Sequence, residues 1–177
     1  MAEQPQKSQL SPATKRLSDY MAGARGRKLP AKAAEVAKHH ILDTLAAILS
    51  GSRLTPGEHG IAFVKSQGGI KEATVIGTRL RSSAVYAALA NGIMAHADET
   101  DDSHYFANIH AGSMIVPAAL AMCEREGTSG ETFLKAVTLG YDIGARTNLV
   151  LTYEALRKHL YNSHSFGGTI GAAAAAG

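Results

Sequence analysis

The sequence has one cysteine, Cys123, so no disulfide can form within the chain. Cys123 closes the apolar run Met114 to Cys123 and is expected in the core. No base stands near it in the sequence, which argues against a catalytic thiol. Charge of one sign is also scarce. Eighteen Lys and Arg against 15 Asp and Glu leave +3 with His neutral, too small an excess to call for nucleic acid. Most of it sits early, in Lys7, Lys15, Arg16, Arg25, Arg27 and Lys28, opposed there by Glu3 and Asp19. This reads as a solvated tail and an exposed helix face. No apolar stretch follows those charges, which excludes a secretory signal, and the acidic residues argue against a transit peptide. Long hydrophobic runs are missing as well, and none approaches the roughly 20 residues that span a bilayer. No membrane partner is expected, and a cytoplasmic location is.

What is present suits one compact domain: 177 residues, 45% of them hydrophobic. Residues 1–10 are polar and expected to be disordered. Ser11-Pro12 reads as an N-cap followed by Pro at the first helical position. Leu17, Tyr20, Met21 and Ala24 keep helical spacing as far as Gly26. Pro30 opens a second helix, with an apolar stripe of Val36, Ala37, His40, Ile41, Thr44, Leu45, Ile48 and Leu49, closed by Gly51. Pro56 to Gln67 is a short helix before Gly68-Gly69. Ala73 to Ile76 is β-prone. Ser82 or Ser83 is the expected cap of a helix with Val85, Ala88, Leu89, Gly92, Ile93 and His96 on one face. Gly112 to Glu126 and Ser129 to about Asn148 are two further helices, 153–161 a short helical turn, and 167–176 the start of a tightly packed small-residue helix. The expected fold class is an all-α bundle over residues 11–177. Ending inside Ala172 to Ala176 suggests a truncated or split protein.

The stretch Ala97 to Ala111 lacks apolar periodicity and reads as a loop or helix end. From His96 to His110 it holds three His, three Asp and one Glu. Such groups sit in solvent or line a polar cleft, because burying them unpaired is costly. Apolar helices flank the cluster, a natural setting for a pocket. His and carboxylate are ligand types for zinc, iron or manganese, but the spacing matches no standard metal signature. Acid–base chemistry fits better, since His titrates near neutrality and a neighbouring carboxylate fixes its tautomer. A solvated acidic loop with incidental His is the alternative. A second candidate is Asn162-Ser-His164-Ser-Phe-Gly-Gly-Thr-Ile-Gly171. A His before a Gly-rich helix start could hold an anion on backbone N–H groups. The glycines do not form the dinucleotide fingerprint. Close helix packing through small residues is the competing explanation for them.

Several segments resemble the MmgE/PrpD family in order and spacing: Ala37 to Gly51, Ala73 to Gly77, Ala88 to His96, Asp101-Asp102, His110 to Leu120, Gly140 to Arg146 and His164 to Ala176. The resemblance covers the chain from about residue 15 onward. It implies a large helical domain split in sequence around a smaller α/β domain, with this chain giving the first helical segment. It implies a lyase (dehydratase or decarboxylase) or an epimerase acting on a di- or tricarboxylate; the alternative is a truncated, non-catalytic helical assembly module. No metal or organic cofactor is implied. The implied assembly is a homodimer, or a complex with a chain supplying the missing domain. By position, the resemblance casts His110 and His164 as groups that bind or protonate substrate, with Glu99 and Asp102 orienting them. Asp101, His104, Ser165 and Thr169 are expected beside the substrate. Glu99 stands where Asp is usual. His110-Ala-Gly-Ser replaces the family's His-Pro-Ser-Gly, so the departures fall in the segments that would choose a substrate.

Overall fold

A computed structural model describes residues 10–177. Among them are eight helices and one two-stranded hairpin, the all-α architecture expected. Of the expected disordered tail, residues 1–9 lie outside the described residues; Leu10 is exposed.

Helix α1 (Pro12–Ala24) begins as the sequence suggests, with Ser11 Oγ accepting from the Thr14 N–H at 3.1 Å. It buries no residue and leans on the bundle through Tyr20, whose hydroxyl donates to Asp142 at 2.8 Å. Helix α2 (Ala31–Gly51) buries Ala37, Ile41, Thr44, Ala47 and Ile48. Val36 and Leu49, placed on the same stripe by spacing, are exposed. The buried arc is thus narrower than expected. Helix α3 (Thr55–Gln67) follows, then β1 (Ala73–Thr74) pairs antiparallel with β2 (Arg81–Ser82).

Helix α4 (Ala84–Ala95) starts after Ser83, but no serine side chain caps it. The Glu72 carboxylate accepts from the Ala84 N–H at 2.9 Å instead, while Ser82 donates to the Gly68 carbonyl. The buried face of α4 is Ala84, Ala87, Ala90, Asn91, Met94 and Ala95. Asn91 bridges to the hairpin by accepting from the Ile76 N–H and donating to the Thr74 carbonyl, both at 2.9 Å. The opposite face, with Val85 and Leu89 exposed, looks outward.

Helix α5 (Gly112–Glu126) carries Pro117 inside it. Proline has no N–H, so the Ser113 carbonyl loses its helical partner. A Cβ at Gly92 would sit 3.1 Å from that carbonyl oxygen, so the glycine lets α4 and α5 approach there. Cys123 is half-buried rather than core. It lines a cavity of about 740 Å³ with α1, α6 and the end of the chain, where no histidine stands.

Helix α6 (Gly130–Leu151) is capped by Ser129, which accepts from the Thr132 N–H. It runs three residues past Asn148. Helix α7 (Tyr153–Lys158) is short, and α8 (Ser163–Ala176) starts earlier than the glycine run predicts. A Cβ at Gly144 would lie 2.7 Å from the Gly167 carbonyl oxygen, and one at Gly171 would lie 2.7 Å from that of Gly140. The backbones of α6 and α8 therefore pack directly on each other. This is the small-residue packing weighed for these glycines. The core beneath contains Ile48, Val64, Met94, Ile115, Val116 and Val137, all fully buried. Each such side chain contributes about 1.5–3 kcal/mol relative to exposure.

Candidate active site: a histidine cleft

Three imidazoles from distant parts of the chain meet at one cleft. His96 follows the last residue of α4, His110 lies two residues before α5, and His164 is in the first turn of α8. The ring centroids of His110 and His164 are 5.0 Å apart and nearly parallel, at 21°. Those of His96 and His110 are 5.2 Å apart. All three line an open cleft of about 1230 Å³, walled by Val85, Leu89 and Ile93 of α4 and by Gly168 and Thr169 of α8. The face of α4 marked by helical spacing in the sequence is therefore a wall of the site rather than of the core.

Local hydrogen bonds explain how the loop delivers His110. His104 and Ile109 form an antiparallel bridge, with the His104 N–H donating to the Ile109 carbonyl at 2.8 Å. Ala107, Ile109 and Ala111 point into the core at 3%, 1% and 1% exposure. Asn148 on α6 donates to the carbonyls of Ala107 and Ser163, both at 2.9 Å, and Ser163 donates to the Asn108 carbonyl at 2.7 Å. Loop and helix start are thereby tied to one buried amide.

The electrostatics follow from one buried carboxylate. Asp101 has no side-chain exposure. Its Oδ1 accepts from His96 Nδ1 at 2.9 Å and lies 3.6 Å from His110 Nδ1. Oδ2 of Asp101 and Nδ1 of His110 are buried without a hydrogen-bond partner. Donor atoms of His96, Asp101 and His110 lie within 4.8 Å of one another, a set that could hold a metal ion. The His96 contact has hydrogen-bond length, however, and an ionised carboxylate needs no metal to bridge two imidazoles. On α8, the His110 N–H donates to His164 Nδ1 at 3.4 Å. A neutral His164 thus carries its proton on Nε2. Burial, then the charges of His110 and His96, lowers the His164 pKa below the ordinary histidine value, against the pull of Asp101. The shift favours the neutral form of His164.

The expected site residues divide into two groups. His110, His164, Glu99 and Thr169 line the cleft. Glu99 is exposed and has a positive φ of 55°, an unfavourable backbone state for a non-glycine residue. Asp101 sits behind His96 and His110 as their carboxylate. Asp102, expected to orient His110 and His164, faces the other way. Its Oδ2 accepts from Tyr141 at 2.6 Å and lies 2.7 Å from His40 Nδ1, and its Oδ1 accepts from the Gly112 N–H at 2.7 Å. Adjacent side chains in extended backbone point to opposite sides, so the pair Asp101-Asp102 is split between two networks. His104 Nδ1 accepts from the Ala107 N–H at 3.1 Å and shapes the turn rather than the cleft. Ser165 is exposed outside the cleft lining. The anion cradle expected at the start of α8 is partly taken: Asn162 Oδ1 accepts from the His164 N–H at 2.8 Å, and the Asn162 carbonyl from that of Ser165. Sequence reasoning missed the partnering of Asp101 and the roles of His96 and Asn148. Apolar residues at every second position, Ala107, Ile109 and Ala111, with Asn108 and His110 between them, are the signal that marks the loop's inner face.

An all-helical scaffold thus gathers three histidines and a buried carboxylate at one open cleft. The MmgE/PrpD N-terminal domain matches the chain over residues 15–177, and the chain belongs to that family. It is 29% identical over 169 residues to the cis-aconitate decarboxylase-like protein oryM of Aspergillus oryzae, covering 92% of this chain and 35% of that protein. It is 30% identical over 123 residues to the cis-aconitate decarboxylase of Aspergillus terreus, covering 67% of this chain and 25% of that protein. The chain thus spans about a third or less of the length of these relatives. The family is of lyase type. Among the described residues, no helix is long and apolar enough to cross a membrane.

Proposed function

We propose that the chain provides the histidine side of an active site that decarboxylates or dehydrates a di- or tricarboxylate. One observation carries this reading: His110 and His164, 54 residues apart in sequence, stack ring on ring at a shared cleft. Loss of carbon dioxide from such an acid leaves an electron pair on carbon that must be protonated. Loss of water needs a proton taken from carbon and one given to the departing oxygen. Either reaction needs proton carriers titrating near pH 7 beside groups that hold carboxylate oxygens. A neutral His164 offers an Nε2–H to a carboxylate. His110, 3.6 Å from the Asp101 carboxylate, is the group to carry the proton. His96, hydrogen-bonded to the same oxygen, competes for that charge.

Further groups would come from polypeptide beyond this stretch, within one longer chain, a homodimer or a partner chain. The names of the relatives make cis-aconitate the first substrate to try. The test is turnover of cis-aconitate by the protein, followed by carbon dioxide release and by loss of the conjugated absorbance. His110→Gln and His164→Gln should each lower kcat by about 100-fold or more, the usual scale for a lost acid or base. Activity within threefold of the unsubstituted protein in both variants would defeat the reading. Loss of absorbance without carbon dioxide would point to hydration chemistry at the same site.

A further inference from the structure

Behind the histidine cleft lies a second titratable network that the proposed chemistry does not use. Asp102 has a side chain only 10% exposed and is met by polar groups from three separate elements. His40 comes from α2 at 2.7 Å, Tyr141 from α6 at 2.6 Å, and the Gly112 N–H from the first residue of α5 at 2.7 Å. The His40 and Tyr141 rings are in contact, with centroids 5.1 Å apart. Gly112 must be glycine here, because a Cβ would lie 2.8 Å from Asp102 Oδ1 and 3.0 Å from the Tyr141 hydroxyl. Asp102 is bonded through its backbone to Asp101, and Gly112 is two residues from His110. The two carboxylates thus make parallel ties across the same loop. One holds His96 and faces His110; the other holds the helix start that follows His110.

We infer that His40, Asp102 and Tyr141 form a positioning latch for His110, in which the protonation of His40 sets how firmly Asp102 holds the start of α5. The groups facing His40 are Asp102 from the loop, Tyr141 from α6 and Asp43 from its own helix. A protonated His40 pulls charge toward Oδ2. A neutral His40 leaves more negative charge for the Gly112 N–H on Oδ1. The contact with the Asp102 carboxylate raises the His40 pKa against the effect of burial, so the change falls above the ordinary histidine value. Only the catalytic consequence of the latch rests on the proposed function; the coupling itself does not.

The experiment is a pH titration of the whole chain by nuclear magnetic resonance, following histidine ring and backbone amide shifts. In the unsubstituted protein the Gly112 amide shift should titrate with the midpoint of His40. In His40→Gln and Tyr141→Phe, the His110 midpoint should move by about 0.3 pH units or more. The exposed His59 on α3 should keep its midpoint in all of them. His40 is 38% exposed, so His40→Gln is expected to fold. A Gly112 amide that ignores the His40 titration overturns the latch, and the unsubstituted protein alone can give that answer. An unchanged His110 midpoint in a folded His40→Gln variant overturns it equally. If Gly112 follows His40 while His110→Gln leaves turnover intact, the latch stands and the functional reading fails.

Discussion

Replacing Asn148 with Ala tests whether one amide registers the two ends of the histidine site. The side chain is 3% exposed and donates twice, to the Ala107 and Ser163 carbonyls at 2.9 Å each. The substitution leaves two buried carbonyls short of a donor. Each such loss costs about 1–3 kcal/mol. One gain offsets part of this, because Asn148 Oδ1 is itself buried without a partner and disappears in the variant. The expected net loss is about 2–3 kcal/mol. With a urea slope of roughly 1–3 kcal/mol per molar, the unfolding midpoint should fall by about 1 M or more. Asn91→Ala is the matched control. Asn91 likewise makes two hydrogen bonds at 2.9 Å, accepting one and donating one, but it ties α4 to the hairpin, away from the cleft. Both variants should lose stability, and only Asn148→Ala should shift the histidine titrations of the site. If Asn148→Ala unfolds within 0.5 kcal/mol of the unsubstituted protein, on the order of a neutral surface change, the amide carries no structural weight. If Asn91→Ala shifts the site histidines equally, the registration argument is wrong even though the energy is right.

Gly144→Val should destabilise the fold by about 3 kcal/mol or more, since it forces atoms into the Gly167 backbone; a thermal melt within 2 °C of the original would contradict the direct α6–α8 contact. The raised pKa of His40 contributes stability that is complete below the ordinary histidine value and lost as pH rises through the higher folded value, so His40→Gln should flatten the alkaline fall in urea midpoint. His164 has the opposite sign. Its lowered pKa contributes stability present above the ordinary histidine value and lost as pH falls through the folded value, and His164→Gln should flatten that acid-side loss. Dialysis against a chelator should leave the melting midpoint unchanged, because the contact of His96 with Asp101 is a hydrogen bond; a fall in the midpoint reversed by zinc or iron would show the triad to be a metal centre.

The helices were legible where local signals and burial agree. Ser11 and Ser129 cap as their positions demand, and Gly127 takes the left-handed conformation that ends α5. The approach of His110 to His164 was legible only through resemblance, because no local pattern links residues 54 apart. Two features misled the reading of faces. Helix α4 is apolar all round, so periodicity could not say which side is core, and the alanine side was buried while Val85 and Leu89 line the cleft. Glu72 replaced the expected serine cap because a hairpin, fixed by pairing between residues 73–74 and 81–82, brought its carboxylate to the helix start. That contact is tertiary, and cap residues are read from sequence as local.

The pair Asp101-Asp102 shows why residue type does not assign role. Both are nearly or fully buried aspartates next to each other in sequence, and either could be named as partner of His110. Burial works to raise the pKa of Asp102, yet hydrogen bonds from His40, Tyr141 and Gly112 hold it below the usual carboxylate value. With three groups already against its two oxygens, Asp102 has little capacity left for a catalytic imidazole. Asp101 has one firm donor, His96, and a free Oδ2. A carboxylate that is not saturated can strengthen its contact with His110 when that ring takes a proton, and one that is saturated cannot. Removing Asp101 should therefore change the pH dependence of the site, and removing Asp102 should change its geometry. Asp101→Asn ought to move the His96 and His110 ring resonances with the Gly112 amide unmoved. Asp102→Asn ought to displace the Gly112 amide first. The reverse pattern would mean that the two carboxylates have been assigned to the wrong networks.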